Sequence, residues 1–260
     1  MMMKNNILAI DSSGLVASVA VLSDDVLVGE FTIHNKKTHS QTLLPMIDQL
    51  LTMAEVDKHE LTAIAVAAGP GSFTGLRIGA ATAKGLAQAL DIPIIPVSTL
   101  QGLAYNMHGV SDLVCPIMDA RRSQCYFCIY DVIGETPVPL CEEGAEPIDD
   151  IVDRLLAMKR QVIFLGDGVP VYKDRILERY HEWLATAADE GDVHIVNTAG
   201  WITFADDAKR YQLASSVAAL GRVLYRDGAA IPAADFTPVY LRKSQAERER
   251  EETENKNLQK

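Results

Sequence analysis

Several short stretches of this chain combine residue types that could do chemistry. Cys125 and Cys128 form a CxxC pair, a spacing used for zinc and for thiol redox chemistry. Asp11-Ser12-Ser13 places a carboxylate and two hydroxyls at the end of an apolar run, donors suited to a cation or a phosphate. Gly69-Pro-Gly-Ser-Phe-Thr-Gly75 leads into a helix, whose N-terminal N–H groups favour anions. Gly166-Asp167-Gly168 is a shorter turn of the same kind, and Asp119-Ala-Arg121-Arg122 sets an acid beside two cations. Each has a plainer reading as a strand-end cap, a tight turn or an ion pair. The glycine loop lacks the Gly-Lys-Ser/Thr of a Walker phosphate loop, and Ser, His and Asp occur at no spacing that links a nucleophilic triad.

The elements that carry these residues decide among the readings. Gln124–Val132 is rich in aromatic and β-branched residues and predicts a strand. Residues three apart on a strand point to opposite faces, so Cys125 and Cys128 are expected to be separate buried thiols rather than a metal pair. Ile7–Ile10, Ala17–Leu22 and Val26–Ile33 read as a meander of strands, and Ala63–Ala68 as a strand covered on both faces. Pro93–Val97, Leu113–Met118 and Gln161–Leu165 complete the strands.

Helices are predicted over Ser40–Ala54, Thr74–Leu90, Leu100–Met107 (capped by Ser98-Thr99), Ile148–Met158, Val171–Tyr180 and Leu213–Tyr225. The first two have wide apolar or small-residue surfaces. Leu43, Met46, Ile47, Leu50 and Met53 recur on one, and Leu76, Gly79, Ala80, Ala83 and Ala87, with Lys84 beside them, on the other. One-sided cover of a sheet does not need surface that broad, so these residues are expected to form a docking face for another subunit.

The whole composition limits the function classes. The 260 residues, 48% hydrophobic, suffice for two lobes with real cores. A net charge of −11 without a basic cluster argues against independent grip on a phosphate backbone, so any nucleic acid would be met only through a partner. No apolar run reaches a membrane-spanning length and no signal-peptide core is seen, which points to a cytoplasmic protein without membrane contact. Three strands, helix, strand, helix, then a second such set, suggests an α/β fold of the actin-like (ASKHA, ribonuclease H-like) kind. Its mixed sheets would be flanked by helices, with a first lobe at 1–105 and a smaller second lobe at 106–241. The helix near 211–226 would return to the first lobe. The charged tail 242–260 is expected to lack a core.

Ile7-Leu-Ala-Ile-Asp-Ser-Ser13, His39-Ser-x-x-Leu-Leu-Pro-Met-Ile47, the Gly69–Gly79 loop and helix start, and Ala83-Lys-Gly-Leu-Ala87 together resemble the TsaB (YeaZ-like) family. So do Val97-Ser-Thr-Leu100, Met118-Asp-Ala-Arg121 and Pro238-Val-Tyr-Leu-Arg242. This family belongs to the glycoprotease, or M22 peptidase, homologues. The resemblance implies an accessory subunit without catalytic residues or metal of its own. Such a subunit pairs with TsaD, which transfers threonylcarbamoyl to N6 of adenosine 37 in tRNAs that read ANN codons, and helps to recruit TsaE. It implies a homodimer through the same face when the chain is alone. It also implies no cofactor bound by this chain itself, with ATP or ADP at the assembled complex. In actin-like ATPases the acid and hydroxyls near Mg²⁺ and phosphate sit where this chain has Asp11 and Ser12, so residual nucleotide contact would involve Asp11, Ser12, Gly69, Gly71 and Ser72. TsaD-like proteins carry a His-x-x-x-His metal pair where this chain has Thr99 and Leu103, and leucine cannot ligate. The competing reading is an actin-like ATPase or M22-type metallopeptidase with its own activity.

Overall fold

The computed structural model describes residues 4–35, 38–189 and 200–242. The chain opens with β1 (Asn6–Asp11), β2 (Ala17–Ser23) and β3 (Val26–Ile33), then α1 (His39–Met53), β4 (Leu61–Gly69), α2 (Phe73–Leu90) and β5 (Ile94–Ser98). These strands form one sheet in the order β3-β2-β1-β4-β5, antiparallel across β3, β2 and β1 and parallel from β1 to β5. Ser98 caps α3 (Thr99–Tyr105) by accepting from the Gln101 N–H at 3.2 Å, and α3 carries the chain to the second sheet.

That sheet is built from β6 (Leu113–Asp119), β7 (Gln124–Phe127), β8 (Tyr130–Asp131), β9 (Val138–Pro139), β10 (Gly144–Pro147), β11 (Val162–Leu165) and β12 (Ile202–Phe204). Its main path runs β10-β7-β6-β11-β12. Its helices are α4 (Ile148–Ala157), α5 (Val169–Asp189) and α6 (Asp207–Arg210), and α7 (Ala214–Arg226) follows. Among the described residues no helix is long and apolar enough to cross a membrane.

Alternation along β1 explains the layers. Leu8 and Ile10 face α1 and α2, packing with Leu43, Ile47, Leu50, Ala80 and Ala83. Ile7 and Ala9 face the other way, where Val217, Ala218 and Leu220 of α7 cover them. The helix near the C-terminus thus returns to the first sheet. Gly221 permits its close approach, since a Cβ there would stand 2.6 Å from the Ala65 Cβ.

Two of the expected elements take a different form in the structure. The strand expected over Gln124–Val132 breaks at Cys128 and Ile129, because β7 pairs with β6 and β10 whereas β8 pairs with β6 and β9. The helix expected to end at Tyr180 continues to Asp189. Its polar second half has little apolar period to read. Arg175 and Arg179 tie it to α4 through Asp149 at 2.6 Å and Asp153 at 2.7 Å, and Trp183 packs against the second core.

Candidate functional site

Two turns of the first lobe meet at the mouth of α2. Ser13 donates both its backbone N–H (2.9 Å) and its hydroxyl (2.6 Å) to Asp11 Oδ1. Ser12 Oγ donates to the Gly75 carbonyl at 2.8 Å, and the Ser72 N–H donates to the Ser13 carbonyl at 2.7 Å. A Cβ on Gly75 would lie 2.0 Å from the Ser12 carbonyl oxygen, and one on Gly71 2.5 Å from that of Ser13. The glycines are therefore there to let the loop close on the Asp11 turn. Gly69 stands at φ +122° with the Val239 carbonyl 2.2 Å from where a Cβ would be, a place only glycine fills.

Beside this junction a cleft of about 580 Å³ opens between the lobes, lined by Gly14, Gly71, Ser72, Phe73, Asp119, Asp167, Tyr240 and Arg242, among others. Gly71 and Ser72 thus reach the cleft. Asp11, Ser12 and Gly69 are buried and do not line it, against the expectation that all five residues meet a nucleotide: Ser12 Oγ and the Ser13 carbonyl bond the loop of α2, and Asp11 accepts from Ser13 of its own turn. Asp11 is 1% exposed, and burial pushes its carboxyl up to about 6 against the pull of the Ser13 hydrogen bonds. Asp167 is likewise pushed up to about 6, chiefly by burial, with the charges of Asp119 and Asp11 adding to it and the Asp119 N–H opposing it. The cleft is acidic on the side of Asp119 and Asp167. Arg121 pairs loosely with Asp119 at 3.7 Å, while Arg242 donates to the carbonyls of Ala120 (2.5 Å) and Arg121 (3.2 Å). Among the described residues no three His, Cys, Asp or Glu side chains converge as metal ligands. Thr99 and Leu103 are both buried in the protomer, and the Thr99 hydroxyl has no hydrogen-bond partner.

The helical pair requires a larger correction. Leu43, Met46, Ile47 and Leu50 of α1, and Leu76, Gly79, Ala80, Ala83 and Ala87 of α2, are all buried within the protomer. Met46, Leu50, Ala80, Ala83 and Ala87 all pack into the core between these helices and the first sheet. The two helices use their broad apolar surface against their own sheet and each other, so these residues are not free surface. Lys84 is half-buried and donates to the carbonyls of Ala234 (3.0 Å) and Phe236 (2.9 Å), holding the C-terminal segment on α2. Of the residues expected at a partner face, Met53 alone is widely exposed, at 67%. Leu44, 53% exposed, joins it on α1, and Ala81, Gly85 and Ala89 are exposed on α2. The sequence shows these four among the apolar and small residues of the two helices but does not separate them from the buried ones, because a step of one residue, about 100° around the helix, decides which side chain faces outward. Gly85 carries a signal of its own: a Cβ there would meet nothing within 4 Å, so burial does not require the glycine.

Comparison with known proteins follows the same lines. A family profile described as TsaD: tRNA N6-adenosine threonylcarbamoyltransferase matches residues 27–250. A Bacillus subtilis protein named tRNA threonylcarbamoyladenosine biosynthesis protein TsaB is 38% identical over 170 residues, 65% of this chain and 74% of the relative. A Haemophilus influenzae protein of the same name is 40% identical over 127 residues, covering 46% of this chain and about half of the relative, 52%. A solved structure described as YeaZ from Pseudomonas aeruginosa superposes with a TM-score of 0.71 at 25% identity, covering 91% of this chain and all of that one. The sheet order, the interlobe cleft and the profile match define an actin-like, two-lobed α/β protein of the TsaD kind. Within that class, the chain belongs to the TsaB (YeaZ-like) family.

Proposed function

We propose that this chain is a non-catalytic scaffold in tRNA threonylcarbamoyladenosine biosynthesis. It docks a TsaD-family transferase, and through it a TsaE ATPase, for modification of N6 of adenosine 37 in ANN-decoding tRNAs. The carrying observation is the exposed surface of the two helices: Ala81, Gly85 and Ala89, four residues apart, form one small-residue face on α2, and α1 exposes the large apolar side chains of Leu44 and Met53. Small residues let a partner's helix approach closely, and two adjacent helices can offer about 800 Å² to a partner as half of a four-helix arrangement. A second copy of the chain would use the same face in the partner's absence, as a homodimer. The net charge of −11 leaves tRNA to the basic surfaces of the complex, with ATP or ADP held there too. The whole assembly is cytoplasmic.

The test is size-exclusion of this chain mixed with its TsaD-family partner, using the double variant Leu44→Arg, Met53→Arg. Both side chains are exposed, so the variant is expected to melt like the parent, elute alone and fail to stimulate threonylcarbamoyl transfer. Co-elution of the folded variant with undiminished stimulation would refute the docking face.

A further inference from the structure

The CxxC spacing suggests Cys125 and Cys128 as partners, but the fold pairs Cys128 with Cys141. Cys125 packs on one face of the second sheet and Cys128 on the other. The Cys128 and Cys141 sulfurs are 3.9 Å apart, and the Cys128 thiol donates to the Cys141 carbonyl at 3.2 Å. All four cysteines are free thiols, three of them buried and Cys141 half-buried. A disulfide needs sulfurs about 2.05 Å apart, and Cys141 stands on the irregular segment between β9 and β10, where a side-chain rotation and a small backbone shift can close the gap.

We propose that Cys128 and Cys141 form a reversible disulfide with a small-molecule disulfide such as oxidised glutathione, making the second lobe a thiol-redox site. Cys141, the less buried of the two, attacks as the thiolate. Its new S–S bond to one glutathione releases the other as a thiolate. Cys128 then attacks the Cys141 sulfur and displaces the second glutathione, which leaves with the Cys128 proton. Two protein thiols are oxidised and one glutathione disulfide is reduced to two thiols. Burial pushes the Cys128 thiol up to about 12, so it does not react first; its part in the second step rests on being held 3.9 Å from the Cys141 sulfur.

The bond would fix the segment that carries Glu143. That carboxylate accepts from Tyr130 Oη at 3.0 Å and from the hydroxyl of Ser98, the residue that caps α3 where the first lobe passes into the second. The staple therefore sits at the joint between the lobes.

The experiment treats the folded full chain with oxidised glutathione, quenches with acid and maps the peptides by mass spectrometry. Titratable thiols are expected to fall from four to two, with Cys128 linked to Cys141, and a reducing thiol should restore all four. Cys128→Ser should trap a glutathione adduct on Cys141, Cys141→Ser should remain unmodified, and Cys125→Ser should still form the link. Circular dichroism of each variant confirms that it is folded. A parent chain that keeps four thiols, a lasting adduct on Cys141 with Cys128 free, or a Cys125–Cys128 link would each overturn the proposal.

Discussion

Replacing Asp11 by Asn tests the reading of the Asp11 turn as structure rather than as a cation site. Asp11 is wholly buried and its carboxyl titrates near 6 instead of 3.8. At 1.36 kcal/mol for each tenfold change in acid strength, the ionised form opposes folding by roughly 3 kcal/mol. Its folded-state pKa lies above the unfolded one, so the folded chain binds the extra proton between about pH 4 and pH 6. Stability therefore falls as pH rises through that window, and the loss is complete above it. Asparagine keeps an oxygen for the Ser13 N–H and hydroxyl but carries no charge. It also relieves Asp167, whose acidity the Asp11 charge weakens, so the two effects share a sign. Urea denaturation at pH 4 and pH 8 reads the outcome. The stability of Asp11→Asn relative to the parent is expected to improve by roughly 2–3 kcal/mol between pH 4 and pH 8. A relative stability that stays flat, or that turns against the variant at pH 8, would show that the ionised carboxylate is a favoured part of the fold, and the argument from burial would fail.

Further consequences of the packing can be checked by melting and binding. Ala83→Arg buries a charge at a position with 0% exposure and is expected to unfold the chain. Gly85→Arg, two residues away, meets open space. It should gain several tenths of a kcal/mol from helix propensity and yet abolish elution with the proposed TsaD-family partner. Gly75→Ala forces a methyl group against the Ser12 carbonyl at 2.0 Å and should cost about 3 kcal/mol or more, seen as a lowered denaturation midpoint at unchanged slope. Lys84→Met removes two hydrogen bonds from a cation to the carbonyls of Ala234 and Phe236. A loss of about 1–3 kcal/mol is expected, with faster hydrogen exchange confined to the C-terminal segment.

Periodicity made most elements legible. The continuous apolar run of β4 announced a strand buried on both faces, and the core of α7 was apparent from its apolar spacing. The family followed from contiguous motifs such as the Gly69–Gly79 stretch, which local sequence carries in full. The separation of Cys125 from Cys128 was also local, since alternation along a strand is a property of the backbone.

What sequence left open were relations between distant segments. It counted apolar and small residues on α1 and α2 but not the area their own sheet would cover, so Ala83 and Gly85 looked alike although one is sealed against the core and the other faces solvent. Cys141 became the neighbour of Cys128 only through the β8–β9 pairing that folds its segment back. Asp11 was visible as an acid at a strand end, but its burial was decided by Gly71 and Gly75 closing on the turn from a segment some sixty residues away. Burial, electrostatic environment and free surface are properties of the assembled layers. They are set by which faces meet, and that is decided when the lobes pack.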